Sequence, residues 1–357
     1  MLSRQDAVAA LSANEFDLVV VGGGITGAGV ALDAATRGYS VALVERADYA
    51  SGTSSRSSKL VHGGLRYLQH FDLGLVREAL LERQLMVALA PHLVHPLPLV
   101  VPAFDGARPD RLMGMGLNLY DVMSVDRDRL RSRRSRRTQR AQDGRGEPTA
   151  GESGGARAAV SEEGESWSPE RHRVISGEDV IELLPALAKR EPTSGYLFYD
   201  CQTDDARLVL TVLGEAERFG AVCANRMSAT ALLERDGRAR GVQMLDEESG
   251  ERFDVRAENV VNATGVWADE LRPEELHEAE LPVIRPSRGT HVTLRHEDLP
   301  LIGGAIVPAG AGRTIFALPW LGRTLVGTTD NDYEGSLEHI CPSGDDVDYL
   351  LAAVNEF

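Results

Sequence analysis

The residues with the clearest chemical potential are three glycines and one acid. Gly22-x-Gly24-x-x-Gly27 follows directly on the run Phe-Asp-Leu-Val-Val-Val at 16–21, and Glu45 closes a second apolar run at 41–44. Glycines at this spacing suit a dinucleotide. Gly22 allows a tight turn out of a strand, Gly24 lets the backbone approach a pyrophosphate, and Gly27 lets the next helix pack closely on the strand. The start of that helix offers unpaired N–H groups and a positive dipole end to phosphates. The Glu45 carboxylate can hold a ribose 2′-hydroxyl, which favours an adenosine without a 2′-phosphate. The competing reading is a glycine-rich turn in an ordinary α/β core. Strand, helix and distal acid together favour the nucleotide.

Two other stretches belong beside such a site. Residues 50–68 are crowded with hydroxyls and glycine and carry Thr53, Ser54, Ser57, Ser58, Lys59, His62, Gly63 and Gly64. By composition this is a loop, and loops of this kind beside a nucleotide site tend to carry function. Farther along, a strand expected at 253–261 runs into Ala263-Thr264-Gly265. Small residues at a strand end again permit close approach of backbone to a ligand.

The elements that position these groups alternate between strand and helix. Residues 16–21 and 41–44 read as buried parallel strands, and 28–37 as the helix between them, ended by Gly38. Residues 3–13 predict a short helix leading into the first strand. Asp72 caps a helix running to about residue 90, and Asp204 caps another that ends at Gly220. Strands are expected at 97–102, 195–200, 221–224, 228–234, 239–245 and 253–261, with Asp236-Gly237 joining one pair. Further strands are expected at 282–285, 290–294, 303–307, 313–319 and 323–329, with helices at 109–123 and from 345. The fold class is α/β.

The chain has 357 residues, is 43% hydrophobic and carries a net charge of −16, so it can bury a sizeable core and is poorly suited to nucleic acid. Lys59 and Lys189 are its only lysines. That balance suits a high-salt cytoplasm, and equally an acidic protein of a GC-rich genome. Cys201, Cys223 and Cys341 show no metal or redox spacing and read as reduced thiols of an intracellular protein. The first 14 residues lack a basic start and an apolar core, and prolines and histidines break the most apolar stretch, 85–104. The expectation is a cytoplasmic chain without a signal peptide or membrane span, with peripheral contact at the inner face of the cell membrane left open. Residues 124–172 hold little that could form a core. They combine eight arginines between 127 and 140 with a Gly-, Ala-, Ser- and Glu-rich half, and read as a disordered insertion.

The chain resembles the FAD-dependent glycerol-3-phosphate dehydrogenase family, within the flavoprotein group that includes D-amino-acid oxidase. The resemblance lies in VVVGGGITGAGVALDAATRGYSVALVE, SGTSSRSSKLVHGGLRYL, YDCQTDDARLVL, VVNATGVWA, GTHV and FALPWLGRTLVGTTD. The serine-rich loop and Asp204-Asp205-Ala-Arg207-Leu208 are its most specific parts. The insertion is longer than usual for the family, and the family's C-terminal glycine-lysine-threonine segment, substrate cations and helical domain are absent from these 357 residues. The expectation is therefore a truncated product or a fragment.

The resemblance implies a Rossmann-type FAD-binding domain at 14–95 and 195–275. A substrate domain on a mostly antiparallel sheet takes 96–123, 173–194 and 276–335, and 336–357 begin a missing C-terminal region. It implies oxidation of sn-glycerol 3-phosphate to dihydroxyacetone phosphate, with hydride passing to FAD and electrons to a quinone. Arg66 is then the first candidate to grip the phosphate, with Arg288 a second. His62 and His291 are candidates near the C2 hydroxyl, because a histidine suits a base for the alcohol proton. Tyr67 bonds a substrate oxygen or fills core space. Thr53, Ser54, Ser57, Ser58 and Lys59 are placed to bond the flavin diphosphate or ring edge. Asp204, Asp205 and Arg207 read as structural, capping a helix and pairing with each other. No metal is expected. A non-catalytic flavin-binding fragment and a related oxidase of 2-hydroxy acids or amines remain alternatives, and a homo-oligomer is left open.

Overall fold

The computed structural model describes residues 2–64, 72–105, 114, 116–119, 171–272, 284–310 and 313–357. Arg66, Tyr67, most of the helix expected at 109–123 and all but the last two residues of the insertion lie outside them.

The chain begins with α1 (Arg4–Ala13), β1 (Glu15–Val21), α2 (Ile25–Thr36), β2 (Val41–Val44), β3 (Leu60–Val61), α3 (Leu73–Leu89) and β4 (Val94–Ala103). Then come β5 (Arg173–Ser176), α4 (Gly177–Leu183), β6 (Ser194–Thr203), α5 (Asp205–Arg218), β7 (Val222–Ala224), β8 (Met227–Arg235), β9 (Arg238–Asp246) and β10 (Arg252–Asn262). The last are β11 (Ser287–Arg288), β12 (His291–Arg295), β13 (Gly304–Pro308), β14 (Thr314–Trp320), β15 (Arg323–Gly327), β16 (Asn331–Asp332) and α6 (Gly344–Glu356). Packing gathers them into two units. One holds Met1–Leu60, Thr203–Leu299 and Val307–Phe357; the other holds Val61–Gln202 and Pro300–Ile306. This division differs from the expected one: β11, β12, β14 to β16 and α6 pack with the unit that holds the glycine turn.

The first unit is built on a sheet of order β7-β2-β1-β10-β9-β8. Strands β7, β2, β1 and β10 run parallel, and β9 and β8 add antiparallel. Strand periodicity sorts its side chains. Val19, Val21, Ala42 and Val44 point to one face with Ala7 and Leu11 of α1. Val20, Val41 and Leu43 point to the other, under Ala28, Ala31 and Ala35 of α2 and Val209, Leu213 and Ala216 of α5. Two covered faces explain why β1 and β2 read as continuous apolar runs. This is the Rossmann-type arrangement expected. In the same unit β15 pairs antiparallel with both β12 and β14.

In the second unit β5 pairs antiparallel with β6, and β13 pairs parallel with β4. The buried Arg83 of α3 ion-pairs with Asp200 and donates to the Tyr199 carbonyl at 3.0 Å.

Most expected elements form, and their caps explain the starts. Ser3, Asp72 and Asp204 each accept an N–H of the first turn. One expectation needs correction, and one helix is new. The strand expected at 282–285 is not one in its described part: β11 begins only after Pro286, which has no N–H for a ladder. Helix α4 was not foreseen, although Ser176 and Asp179 form a complete capping box at its start.

Candidate functional site

The glycine turn is forced by its neighbours. Gly22 sits at φ +115, where a Cβ would lie 2.4 Å from the Ala263 carbonyl oxygen. A Cβ on Gly27 would stand 1.9 Å from the Gly22 carbonyl oxygen, so helix and strand could not close. The Ala263 N–H donates to the Val21 carbonyl at 2.8 Å, which brings the end of β10 onto the turn. Ala263 thus packs against the turn's own backbone as well as lining the space beside it.

Between these strand ends lies a cavity of about 710 Å³. Its wall includes Gly22, Gly24, Glu45, Thr53, Ser54, Ala263, Thr264 and Gly265, all singled out from the sequence. Gly27 lies beneath, as the helix's contact with the turn. The Glu45 carboxylate accepts the Gly23 N–H at 2.7 Å and the Ala47 N–H at 2.8 Å, which fixes its position at the rim. Ser54 Oγ accepts the Ile25 N–H at 2.9 Å, placing an oxygen at the N-terminus of α2. A Cβ on Gly24 would meet that Oγ at 3.0 Å, so glycine keeps the cradle open.

Other wall residues were not foreseen. The Arg46 guanidinium stacks 4.5 Å from the Trp267 ring centroid and bonds Glu270 at 3.1 Å and Glu338 at 2.9 Å. Arg46 directly follows Glu45, so its place at the strand end was readable. Glu338 is 292 positions away and carried no signal.

A second cluster in the same unit gathers around His291, at the start of β12. Ser58 Oγ lies 2.8 Å from His291 Nε2. Burial first, then the Lys59 cation, lowers the histidine pKa, and the Asp205 carboxylate works against them. His291 is thus held neutral at pH 7. Lys59 donates to Asp205 at 2.7 Å and to the Ser55 carbonyl at 2.6 Å, and lies 5.9 Å from the Trp320 ring centroid. Ser57 Oγ donates to Asp205 at 2.7 Å.

The expectation for Asp204, Asp205 and Arg207 holds only in part. Asp204 caps α5 through the Arg207 N–H, but Asp205 pairs with Lys59 and Ser57 instead. Arg288 also differs from its expected place. It faces Asp346 at 2.7 Å, Ser343 Oγ at 3.2 Å and the Cys341 carbonyl at 3.3 Å, so it anchors the start of α6.

His62, Gly63 and Gly64 belong to the other unit. There His62 Nδ1 accepts the Gly64 N–H at 2.8 Å, which leaves the proton of a neutral ring on Nε2. Burial pushes the Cys201 and Cys223 thiols up to about 12, so neither is a thiolate near pH 7. Among the described residues no group of side chains is arranged to hold a metal, and no helix is long and apolar enough to cross a membrane.

A family model described as FAD dependent oxidoreductase matches residues 17–357. The chain belongs to the FAD-dependent oxidoreductase family. Within it, the chain is similar to glycerol-3-phosphate dehydrogenase 2 of Mycobacterium tuberculosis, with 38% identity over 346 residues, 97% of this chain and 52% of that protein. It is also similar to alpha-glycerophosphate oxidase of Streptococcus pyogenes, with 35% identity over 361 residues, 99% of this chain and 52% of that protein. Among solved structures, glycerol-3-phosphate dehydrogenase from Bacillus halodurans complexed with FAD matches with a TM-score of 0.67 and 28% identity, over 99% of this chain and 55% of that one. The chain spans about half the length of the curated relatives it matches.

FAD is the cofactor of this oxidoreductase family, and the cavity fits its dinucleotide part. The glycine turn leaves a cradle that a Cβ would fill, and the N-terminus of α2 faces it beside serine and threonine hydroxyls that include Thr53 and Ser54, with the Glu45 carboxylate on the same wall.

Proposed function

We propose that this chain carries the flavin site and part of the substrate site of an enzyme that oxidises sn-glycerol 3-phosphate to dihydroxyacetone phosphate and passes electrons to a quinone. The names of its relatives support this substrate. The observation that carries the reading is the neutral His291, bonded to Ser58, in the unit that also holds the dinucleotide cavity.

FAD, when bound, supplies the acceptor for the hydride that leaves C2. The chain's own residues do the rest. The turn from Gly22 to Gly27, with Thr53, Ser54 and residues 263–265, holds the diphosphate, and Glu45 takes the adenosine ribose. His291, kept neutral by burial, accepts the hydroxyl proton of the substrate. Ser58 sets the ring's orientation, and Lys59 holds a positive charge beside it. His62, with Nδ1 already accepting from Gly64, keeps Nε2–H as a donor. By residue type, Arg66 is the candidate to bind the phosphate and Tyr67 a substrate oxygen.

The test is anaerobic mixing of the purified, FAD-loaded chain with glycerol 3-phosphate, 2-hydroxy acids and amines in turn. Loss of flavin absorbance with glycerol 3-phosphate alone is expected. Bleaching by a hydroxy acid or amine instead, or by none of them, would overturn the proposal. Arg66→Ala should raise KM by about 10- to 100-fold with a smaller effect on kcat, as loss of a charge-assisted contact does.

A further inference from the structure

Asp205 stands at the first position of α5 and is almost fully buried. Four donors converge on its carboxylate. Oδ2 accepts from Ser57 Oγ at 2.7 Å and from the Ser57 N–H at 3.3 Å. Oδ1 accepts from Lys59 Nζ at 2.7 Å and from the Ala206 N–H at 2.9 Å. The loop is stitched further: the Lys59 N–H donates to Ser57 Oγ at 3.0 Å, and the Lys59 carbonyl accepts the Thr203 N–H at 2.9 Å. Asp205 thus grips the residues on both sides of Ser58 and leaves Ser58 itself to face His291, 2.8 Å away.

We propose that Asp205 is a positioning residue, which holds the Ser57–Lys59 loop so that Ser58 orients the ring of His291. This rests on the role given to His291 above. The carboxylate has a second effect on the same ring. It offsets the Lys59 cation, which otherwise disfavours a proton on His291. A helix cap of ordinary kind would do neither. Asp204, the cap of the same helix, bonds through its side chain only the Arg207 N–H among the described residues and provides the internal control.

The experiment follows the His291 ring by NMR in the full chain with isotope-labelled histidine, in the absence of substrate. Asp205→Asn should lower the His291 pKa by about one pH unit, as loss of a nearby opposite charge does, and should disturb its Nε2 resonance as Ser58→Ala does. Lys59→Met together with Asp205→Asn should bring the pKa back toward the parent value without restoring the resonance. Asp204→Ala should lower thermal stability and leave the ring unchanged. Unchanged His291 signals in Asp205→Asn, with a response in Ser58→Ala, would overturn the proposal, as would an equal response in Asp204→Ala. If Asp205→Asn fails to fold, Ser57→Ala removes one of the two grips and is read in the same way. Because no substrate is needed, a failure here is distinct from a failure of the proposed reaction. If the chain oxidises glycerol 3-phosphate, Asp205→Asn should also lower kcat by about tenfold with little change in KM, the size of one lost hydrogen bond.

Discussion

The dinucleotide cavity and the His291 cluster lie in the same packing unit but are made in different ways. The cavity is largely backbone. Its turn and helix start come from one contiguous stretch shaped by glycines, N–H groups and carbonyls, and the strand end at Ala263 with side chains such as Glu45 and Glu338 completes the wall. The His291 cluster is held mainly by side chains. Ser58 meets His291 across 233 positions, and Lys59 meets Asp205 across 146. A backbone site tolerates no added volume but little depends on side-chain orientation. A side-chain site tolerates small changes of volume but depends on every partner being held in place.

The strongest way to break this comparison is at the turn. Gly27→Val would drive a branched side chain into the Gly22 carbonyl, which a Cβ alone already approaches to 1.9 Å. We expect a loss of about 3 kcal/mol or more in denaturant unfolding, together with loss of flavin absorbance, because backbone on both sides must move. A stable, yellow Gly27→Val protein would mean that side-chain contacts, not backbone approach, build the cavity.

Glu45→Arg comes next. It removes the acceptor of the Gly23 and Ala47 N–H groups and sets a cation where a ribose hydroxyl is expected. Flavin affinity should fall by at least about 2 kcal/mol, roughly thirtyfold, with no compensating affinity for NADP. Equilibrium titration with both nucleotides measures it.

Ser58→Ala addresses the other half of the comparison. Flavin binding and unfolding midpoint should stay close to the parent, while kcat drops about tenfold, the value of one hydrogen bond. A parallel loss of flavin would show that the two regions are not separable.

The smallest effect concerns neither region. Arg4 bonds Asp246 at 2.6 Å and holds its carboxyl at about 2, below the usual value. A carboxylate with a depressed folded-state pKa stabilises the fold above its unfolded value and loses that contribution as pH falls from about 4 to 2. Asp246→Asn should therefore cost about 1 kcal/mol at pH 7 and nothing further below pH 2. Flavin binding and the His291 titration should not respond.

How much could be read in advance follows the same line. The glycine turn was legible because each glycine answers a demand of its own backbone: φ +115 at Gly22, close packing at Gly27. Apolar runs at 16–21 and 41–44 announced strands covered on both faces, and capping residues announced helix starts. The loop at 53–59 stood out by its hydroxyls and its place beside the turn, but which residue each hydroxyl would meet did not.

By itself, the sequence determined the α/β class, the strand–turn–helix that makes the cavity and the acid at its rim. These depend on local sterics and on hydrophobic periods of two and 3.6, which neighbouring residues carry without help from distant ones. Only the tertiary structure decided that Lys59 would be spent on Asp205, that Arg288 would anchor α6, and that Ser58 would face His291. Those pairings depend on which side chains the sheet and helices bring within hydrogen-bond reach, and a chain read one stretch at a time contains no such distances.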